Sequence, residues 1–464
     1  MKKIFKDKKI KNKKEGCVYI VHHIDTEGPL KEPLEETFKR IENTLHIKIS
    51  LPRTETTLKK LQNGKDERIK KFLDPALLKL NQDWSTIDQM LKKIMSPRFR
   101  NNLQDSFGNG WIYNWHIVDH VGFKTNERFK DLGYLKIFNH YEKMILKTKS
   151  LKDKLHWHFH PIPFFREAHI SATSYENSYP EIHQILCHRL IEKKWFPKVN
   201  RAGFHTERPD SNWFLEQWIP FDPSNQATLN IENEKDRDTG RFGDWSGAPG
   251  DWTLYNPDFY DWRKRGNLNR VIARTLNMRA RYRNVTFLEV EKAFKKAEKG
   301  ENVYLGITNH DFRDMAPEIE NFRKILSKVS VKFSKIKYKF AESVDAFRKV
   351  LGYSEKEIRD NALDFKVSFT NEVLKVQVLN GEIFGPQPYL AIKTKKGEYF
   401  HDNFDFGKFK IEYFYTFDRY TIGLDMIDKI GIASNDKYGN CCINLITFNG
   451  NKECREINIE KLYL

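Results

Sequence analysis

The sequence predicts an α/β chain, a distorted (β/α) barrel followed by an antiparallel β-sandwich, on the strength of two patterns. From residue 15 to about 352, strand-like apolar runs alternate with amphipathic helical stretches, as in a parallel sheet or barrel. From residue 360 to 464 the period changes to two, in Asp364-Phe365-Lys366-Val367-Ser368-Phe369-Thr370, Leu374-Lys375-Val376-Gln377-Val378 and Leu390-Ala391-Ile392-Lys393-Thr394, which reads as a sandwich. A length of 464 residues, 39% hydrophobic and 14% aromatic, supplies core for both parts.

Residues 1–14 are a lysine-rich tail that carries much of the net charge of +17. The tail lacks the apolar centre of a signal peptide and reads as a solvated segment rather than a nucleic-acid or anionic-membrane contact. The run from Val18 to Pro29 reads as a buried strand that ends in Asp25, Glu27 and a Gly-Pro turn. A helix is predicted over 33–48 and further helical pieces over 58–95, where Leu58, Leu61, Phe72, Leu77, Met90, Leu91 and Ile94 recur at helical steps; residues about 50–110 form an insertion near the site. Residues 111–121 read as a second strand ending in Asp119 and His120. At the face where parallel-barrel strands end, those two side chains either meet substrate or metal or are hydrogen-bonded loop residues.

Further along, the pattern predicts a helix over 128–147, the histidine-rich segment 155–161, a helix over 178–194, a strand over 198–204, a helix over 210–217 and a strand over 218–222. Residues 223–268 form a loop rich in Asn, Asp, Gly, Pro and Trp. Its Trp245 is a candidate for stacking on a sugar ring, with a purely structural loop as the alternative. Helices over 269–280, 287–299 and 316–328 and a strand over 302–308 complete the barrel.

The chemistry begins at Leu155-His156-Trp157-His158-Phe159-His160-Pro161, three imidazoles within five residues. In a helix His156 and His160 lie one turn apart; in a strand His156, His158 and His160 share one face and Leu155, Trp157 and Phe159 the other. Either way the expectation is that His156 and His160 act together. A two-histidine site becomes hydrolytic when a carboxylate joins it and a coordination position stays open. Asp25 and Glu27, two residues apart at the end of the first strand, offer one acid for a metal and one for general-base work.

These pieces resemble the polysaccharide deacetylase superfamily, the NodB-homology proteins and carbohydrate esterase family 4. His156 to Pro161 matches its two histidines four apart followed by Pro, with Trp157 where Ser or Thr is usual. Asp25-Thr26-Glu27 stands for its first motif. Asn200-Arg201-Ala202-Gly203-Phe204 resembles the third, with Gly203 in place of Pro, and Ile219-Pro220-Phe221-Asp222-Pro223-Ser224 the strand after it. Gly306-Ile307-Thr308-Asn309-His310-Asp311 resembles the last. The opening His-Ile-Asp-Thr-Glu-Gly and Trp115-His116-Ile117-Val118-Asp119-His120 are most similar to the WbmS-like branch associated with bacterial surface-polysaccharide loci.

The resemblance, which covers roughly residues 15 to 345, implies a NodB-type barrel and a hydrolase that removes an N-acyl group, most simply acetyl, from an amino sugar. It implies Glu27, His156 and His160 as ligands of a divalent metal, zinc in the first place with cobalt, nickel or manganese as alternatives. Asp25 would be the base, the roles of the two acids being exchangeable, with Arg201 orienting it and His310 as acid. Asp311 would support His310, and Asp119, His120, Trp157, His158, Trp245 and Asp311 are the substrate-binding candidates. The alternative is a catalytically degenerate barrel that binds a glycan or nucleotide sugar.

Five cysteines, an odd number without metal-type spacing, read as reduced thiols of a cytoplasmic protein. No run approaches the roughly 18 to 20 apolar residues of a membrane span, so membrane contact is at most peripheral. No nucleic-acid recognition motif is legible. The expected partner is an amino-sugar-containing glycan or a nucleotide sugar.

Overall fold

The structure, a computed structural model, describes residues 15–167, 174–228, 243–449 and 456–464; the basic tail lies outside them. Strand β1 (Cys17–Thr26) is the axis of the larger part. From Ile20 onward it is buried on both faces, as expected where helices cover a parallel sheet outside and side chains fill it inside. One edge of β1 pairs along its length with β7 (Val303–His310). The other is shared: its first half pairs with β8 (Lys337–Phe340) and its second half with β2 (Tyr113–Asp119).

The sheet continues from β2 through β3 (Lys154–Phe159) to β4 (Asn200–Ala202), and from β7 through β6 (Val271–Asn277) to β5 (Phe221–Asn225). These pairings are parallel. Val199, just before β4, bridges Phe221 of β5, so the seven-stranded path comes close to closing on itself. The product is a barrel-like sheet whose strand ends gather at one rim.

Between β1 and β2 the chain inserts α1 (Leu34–Leu45), α2 (Glu55–Gln62), α3 (Glu67–Phe72), α4 (Pro75–Leu78), α5 (Trp84–Ile94) and α6 (Pro97–Arg100). Aspartates cap several of these: Asp66, Asp74 and Asp83 accept from the first turns of α3, α4 and α5, which satisfies donors that a helix start leaves open. Phe38, Ile41, Leu58, Ile69, Phe72 and Leu73 give the insertion its own small core. The predicted helix over 128–147 is shorter, α7 (Lys136–Lys147), because residues 128–135 are held in a loop against His120.

Helices α8 (Tyr179–Lys193), α9 (Pro209–Trp218), α10 (Phe287–Glu298), α11 (Met315–Lys332) and α12 (Ser343–Val350) follow their strands. One predicted element is corrected: residues 269–280 contain strand β6, not a helix. Val271–Asn277 is buried throughout, and a short apolar run sealed on both faces has no periodicity that distinguishes the two states.

After α13 (Glu355–Asp360) two antiparallel sheets stack. One comprises β9 (Asp364–Thr370), β10 (Val373–Asn380), β13 (Asp405–Phe406) and β14 (Glu412–Thr416). The other comprises β11 (Tyr389–Thr394), β12 (Tyr399–Asp402), β15 (Ile427–Asn435), β16 (Cys441–Asn449) and β17 (Glu456–Tyr463). Phe365, Val376, Ile392, Tyr413, Ile430 and Ile446 are part of the core between them. The outer face of the second sheet rests on α8, where Tyr389, Ala391, Ala433 and Ile443 meet Ile182, Ile185, Leu186 and Leu190. Cys17, Cys187, Cys441 and Cys442 carry free thiols. No helix among the described residues is long and apolar enough to cross a membrane.

Candidate metal centre

Parallel register decides what meets at the rim. His310 of β7 lies beside Asp25 of β1, and Arg201 of β4 beside His158 of β3. Arg201 Nε donates to Asp25 Oδ1 at 2.6 Å and Nη1 to the Pro223 carbonyl at 3.0 Å. Both partners are buried. Burial alone would raise the Asp25 carboxyl, but the positive charge of Arg201, helped by His158 and His310, outweighs it and holds Asp25 below its ordinary value. His310 Nε2 stands 3.6 Å from Asp25 Oδ2 and 3.9 Å from Glu27 Oε1. Burial pushes His310 down to about 4 against the pull of both acids.

Glu27, His120 and His160 form the cluster whose ligand atoms all lie within 4.8 Å of one another. His120 Nε2 is 4.0 Å from Glu27 Oε2, and His160 Nε2 is 4.0 Å from Glu27 Oε1. Donors about 2.1 Å from one tetrahedral ion would be spaced by roughly 3.4 Å, so small side-chain movements suffice.

The donor chemistry also fits an ion. His120 Nδ1 is paired with the Asp131 carbonyl at 3.2 Å, the contact that fixes the tautomer of a metal-binding imidazole, while its Nε2 is buried and unpartnered. His158 Nδ1 donates to the Arg201 carbonyl at 2.7 Å, so its Nε2 presents a lone pair to His160 Nε2 at 3.0 Å. A proton on His160 Nε2 makes this contact a hydrogen bond, and an ion bound at His160 Nε2 would take that proton's place. His160 Nδ1 is itself buried and unpartnered.

Glu27 is further paired with Lys130 at 2.7 Å. Burial would raise its carboxyl, but Lys130 and the surrounding imidazoles hold it well below the ordinary value.

The backbone is shaped for this arrangement. Gly28 adopts φ +72°, and a Cβ there would sit 3.3 Å from Trp84. Gly203 lies so close to β3 that a Cβ would come within 2.4 Å of both the Phe159 carbonyl and the His160 ring. Phe204 and His205 that follow are both left-handed, at φ +52° and +54°, a strained pair of the kind that persists where surroundings impose it. Phe204 thereby packs on His160, ring centroids 4.6 Å apart.

Several sequence-predicted residues stand elsewhere. His156 is not brought to His160: in β3, four residues of extended chain separate their Cα atoms by roughly 13 Å. It sits deeper in the barrel, with Nε2 3.2 Å from Asn114 Oδ1 and 3.2 Å from Glu342 Oε1. Asp119 points to the opposite side of β2 from His120, accepting from Trp157 Nε1 at 3.0 Å and Arg189 Nη2 at 2.5 Å. Burial pushes its carboxyl up to about 6 against those partners. Trp157, also buried, stacks on Phe159 and presents no face to substrate.

Trp245 lies in an apolar cluster with Tyr255 and Trp262 and donates to the His205 carbonyl, so it braces the loop rather than meeting a sugar. Asp311 does not support His310. It accepts from the backbone N–H of Glu27 at 2.8 Å and of Gly28, and from the Tyr141 hydroxyl at 2.7 Å, fixing the turn that carries Glu27. Burial pushes Asp311 up to about 7. Lys130, Tyr141 and Phe204 were not legible beforehand, since each reaches the site through loop or helix packing that no spacing announces.

Above this floor is a cavity of about 530 Å³, with Asp25, Glu27, His158 and His310 at its base and the helical insertion forming one wall. Comparisons with protein-family models, with curated proteins and with solved structures find no match for this chain.

Proposed function

We propose that the protein is a metal-dependent hydrolase that removes an N-acyl group, most simply acetyl, from an amino sugar. The observation that carries this reading is the convergence, at one rim, of an Arg-held Asp25, His310 and the Glu27/His120/His160 cluster. The resemblance of the motifs to NodB-type deacetylases supports the same reading and suggests a surface-polysaccharide intermediate as substrate. The motif order and the geometry differ on one ligand, since the cluster that could hold an ion contains His120 where the motifs imply His156.

A divalent ion held by Glu27, His120 and His160, zinc in the first place with cobalt, nickel or manganese as alternatives, would supply Lewis-acid polarisation of the acyl carbonyl and acidify the attacking water. Asp25, kept ionised by Arg201, accepts the water proton. His310 starts neutral, so it has no proton of its own to spare. At 3.6 Å it is placed to take the proton gathered by Asp25 and pass it to the departing amine nitrogen. Lys130 holds one oxygen of Glu27 and leaves the other directed at His160 and His310.

That same ion pair favours a second reading, in which Lys130 takes the place of the ion and the barrel binds a glycan without cleaving it. Metal analysis of the purified full chain, followed by acetate release from N-acetylated amino sugars with and without a chelator, separates the two. Stoichiometric metal and chelator-sensitive acetate release are expected. A protein that takes up no metal while binding the sugars would support the second reading and sink the first.

A further inference from the structure

We infer that the substrate carries a phosphoryl group, as a sugar phosphate or sugar diphosphate ester, in addition to the amide that reacts. This rests on the hydrolase reading of the same cavity. Eight cationic side chains stand around that cavity against four carboxylates. Asp25 and Glu27 belong to the floor, and Glu32 is held between Arg40 and Arg128. Away from the floor, Lys59, Lys79, Arg281, Arg283 and Arg313 line the cavity with a single acid, Glu55, while Arg313 Nε is paired behind the lining with Glu318 at 3.2 Å.

The positive charge is built in, not scattered. Leu80 pairs with Arg313 in an antiparallel bridge, which ties the segment carrying Lys79 to the segment carrying Arg313 at the cavity. Arg313 Nη2 donates to the Arg279 carbonyl at 3.0 Å. Arg281 donates to the Phe72 carbonyl from Nε and Nη2 and lies over the Phe72 ring, 3.9 Å from its centroid. The insertion, the loop after β6 and the segment after β7 are thus sewn together with their cations on one wall.

Guanidinium groups fixed in this way lose little freedom on binding, and planar forks match the several oxygens of a phosphate better than one carboxylate. Lys59 and Lys79 are exposed and make no ion pair among the described residues, so they add charge at the mouth that draws an anion inward. The amide would then reach the floor while the phosphoryl group rests on the wall.

The test uses the full chain and a probe with a phosphoryl group and no amide, glucose 1-phosphate, titrated calorimetrically beside glucose and glucuronic acid. Glucose 1-phosphate should bind at least about tenfold more tightly than either, with a gap that narrows as salt rises. Lys79→Gln with Arg281→Gln should remove most of that preference, and Lys79→Gln alone, at an exposed position, should reduce it without touching the fold. Equal binding of the three sugars, tighter binding of glucuronic acid, absence of any binding, or an unchanged preference in the variants would overturn the inference.

Acetate release from N-acetylglucosamine 1-phosphate against N-acetylglucosamine completes the test. Faster release from the phosphorylated sugar supports both readings. Equal release overturns the phosphoryl inference alone, whereas binding of glucose 1-phosphate with no release from either sugar overturns the hydrolase reading and leaves this one standing.

Discussion

The barrel interior holds two groups of buried histidines stacked one above the other, and their difference locates the site. The lower group is His22, His23, His116 and His156. His22 is paired with Asn309 at 3.0 Å and Trp111 at 2.9 Å. His23 is paired with His116 at 2.8 Å and the Tyr304 hydroxyl at 3.0 Å, and His156 with Asn114. The upper group is His120, His158, His160 and His310, where His120 Nε2, His160 Nδ1 and His310 Nδ1 are buried without a partner. Buried polar atoms are nearly always satisfied, and three unpartnered ring nitrogens fall on the upper group and none on the lower. Histidine density alone does not distinguish the groups; unpartnered ring nitrogens do.

The sharpest way to break this contrast is to delete one imidazole from each group. His120→Ala should lose the bound metal and, with it, measurable turnover, because one imidazole and a carboxylate make a poor site. His156→Ala should keep the metal. Its cost should appear in stability, on the order of 1–3 kcal/mol, since the buried Glu342 carboxylate loses its side-chain partner and keeps only backbone donors such as Asp345 N. Burial would raise that carboxyl, yet His156 holds it down at about 2. Metal content by mass spectrometry and denaturant unfolding of both variants decide the matter. Metal lost from His156→Ala and kept in His120→Ala would invert the assignment.

This contrast also shows what could be read beforehand. Arg201 and His310 were legible only through the motif resemblance. Asp25 and Glu27 were legible because they lie at the end of an apolar run, and the ends of parallel strands meet by topology. The same logic applied strictly would have separated His156 from His160, since a run of Leu155, Trp157 and Phe159 alternating with histidines is a strand, and a strand spreads residues four apart. His120 was then the imidazole to seek, one residue past the end of the neighbouring strand. For Trp245 and Asp119 the sequence left a structural role open as the alternative, and only packing among Tyr255 and Trp262, or against Arg189, decides for it. Strand β6 shows the same limit: its seven residues are buried on both faces and so show no period, and Arg274 in its middle is buried against Glu289 by packing that the local sequence does not encode.

Within the upper group a subtler variant separates holding from chemistry. Asp25→Asn keeps the size and polarity of the side chain, and the metal ligands are other residues, so metal content should match the native protein. Turnover should fall about a hundredfold or more, equivalent to about 2.7 kcal/mol, the scale of general-base catalysis. His310→Ala should also keep metal, with a defect that shrinks on an activated aryl ester whose leaving group needs no proton. Full activity in both, measured as acetate release, would remove the proton path from Asp25 to His310.

The smallest expected effect belongs to the lower group and has a definite sign. Burial pushes His22 down to about 3 and holds His23 and His116 well below their ordinary value. The same side chains titrate near 6.5 when the chain is unfolded. Between about pH 6.5 and pH 3 the unfolded chain therefore binds protons that the folded barrel refuses, and stability falls as pH falls through that window. Above it the contribution is constant. Each such imidazole adds a slope of up to about 1.4 kcal/mol per pH unit. His22→Asn removes one of them, so its unfolding free energy, measured in urea from pH 7 to pH 4, should decline less steeply than the native protein's by about that amount. The variant will be less stable at pH 7, because Trp111 Nε1 loses its acceptor, yet the two curves should converge toward pH 4. Parallel curves would mean that His22 takes up its proton while folded, and that the lower histidines are not the closed, fully paired set that sets them apart from the site above.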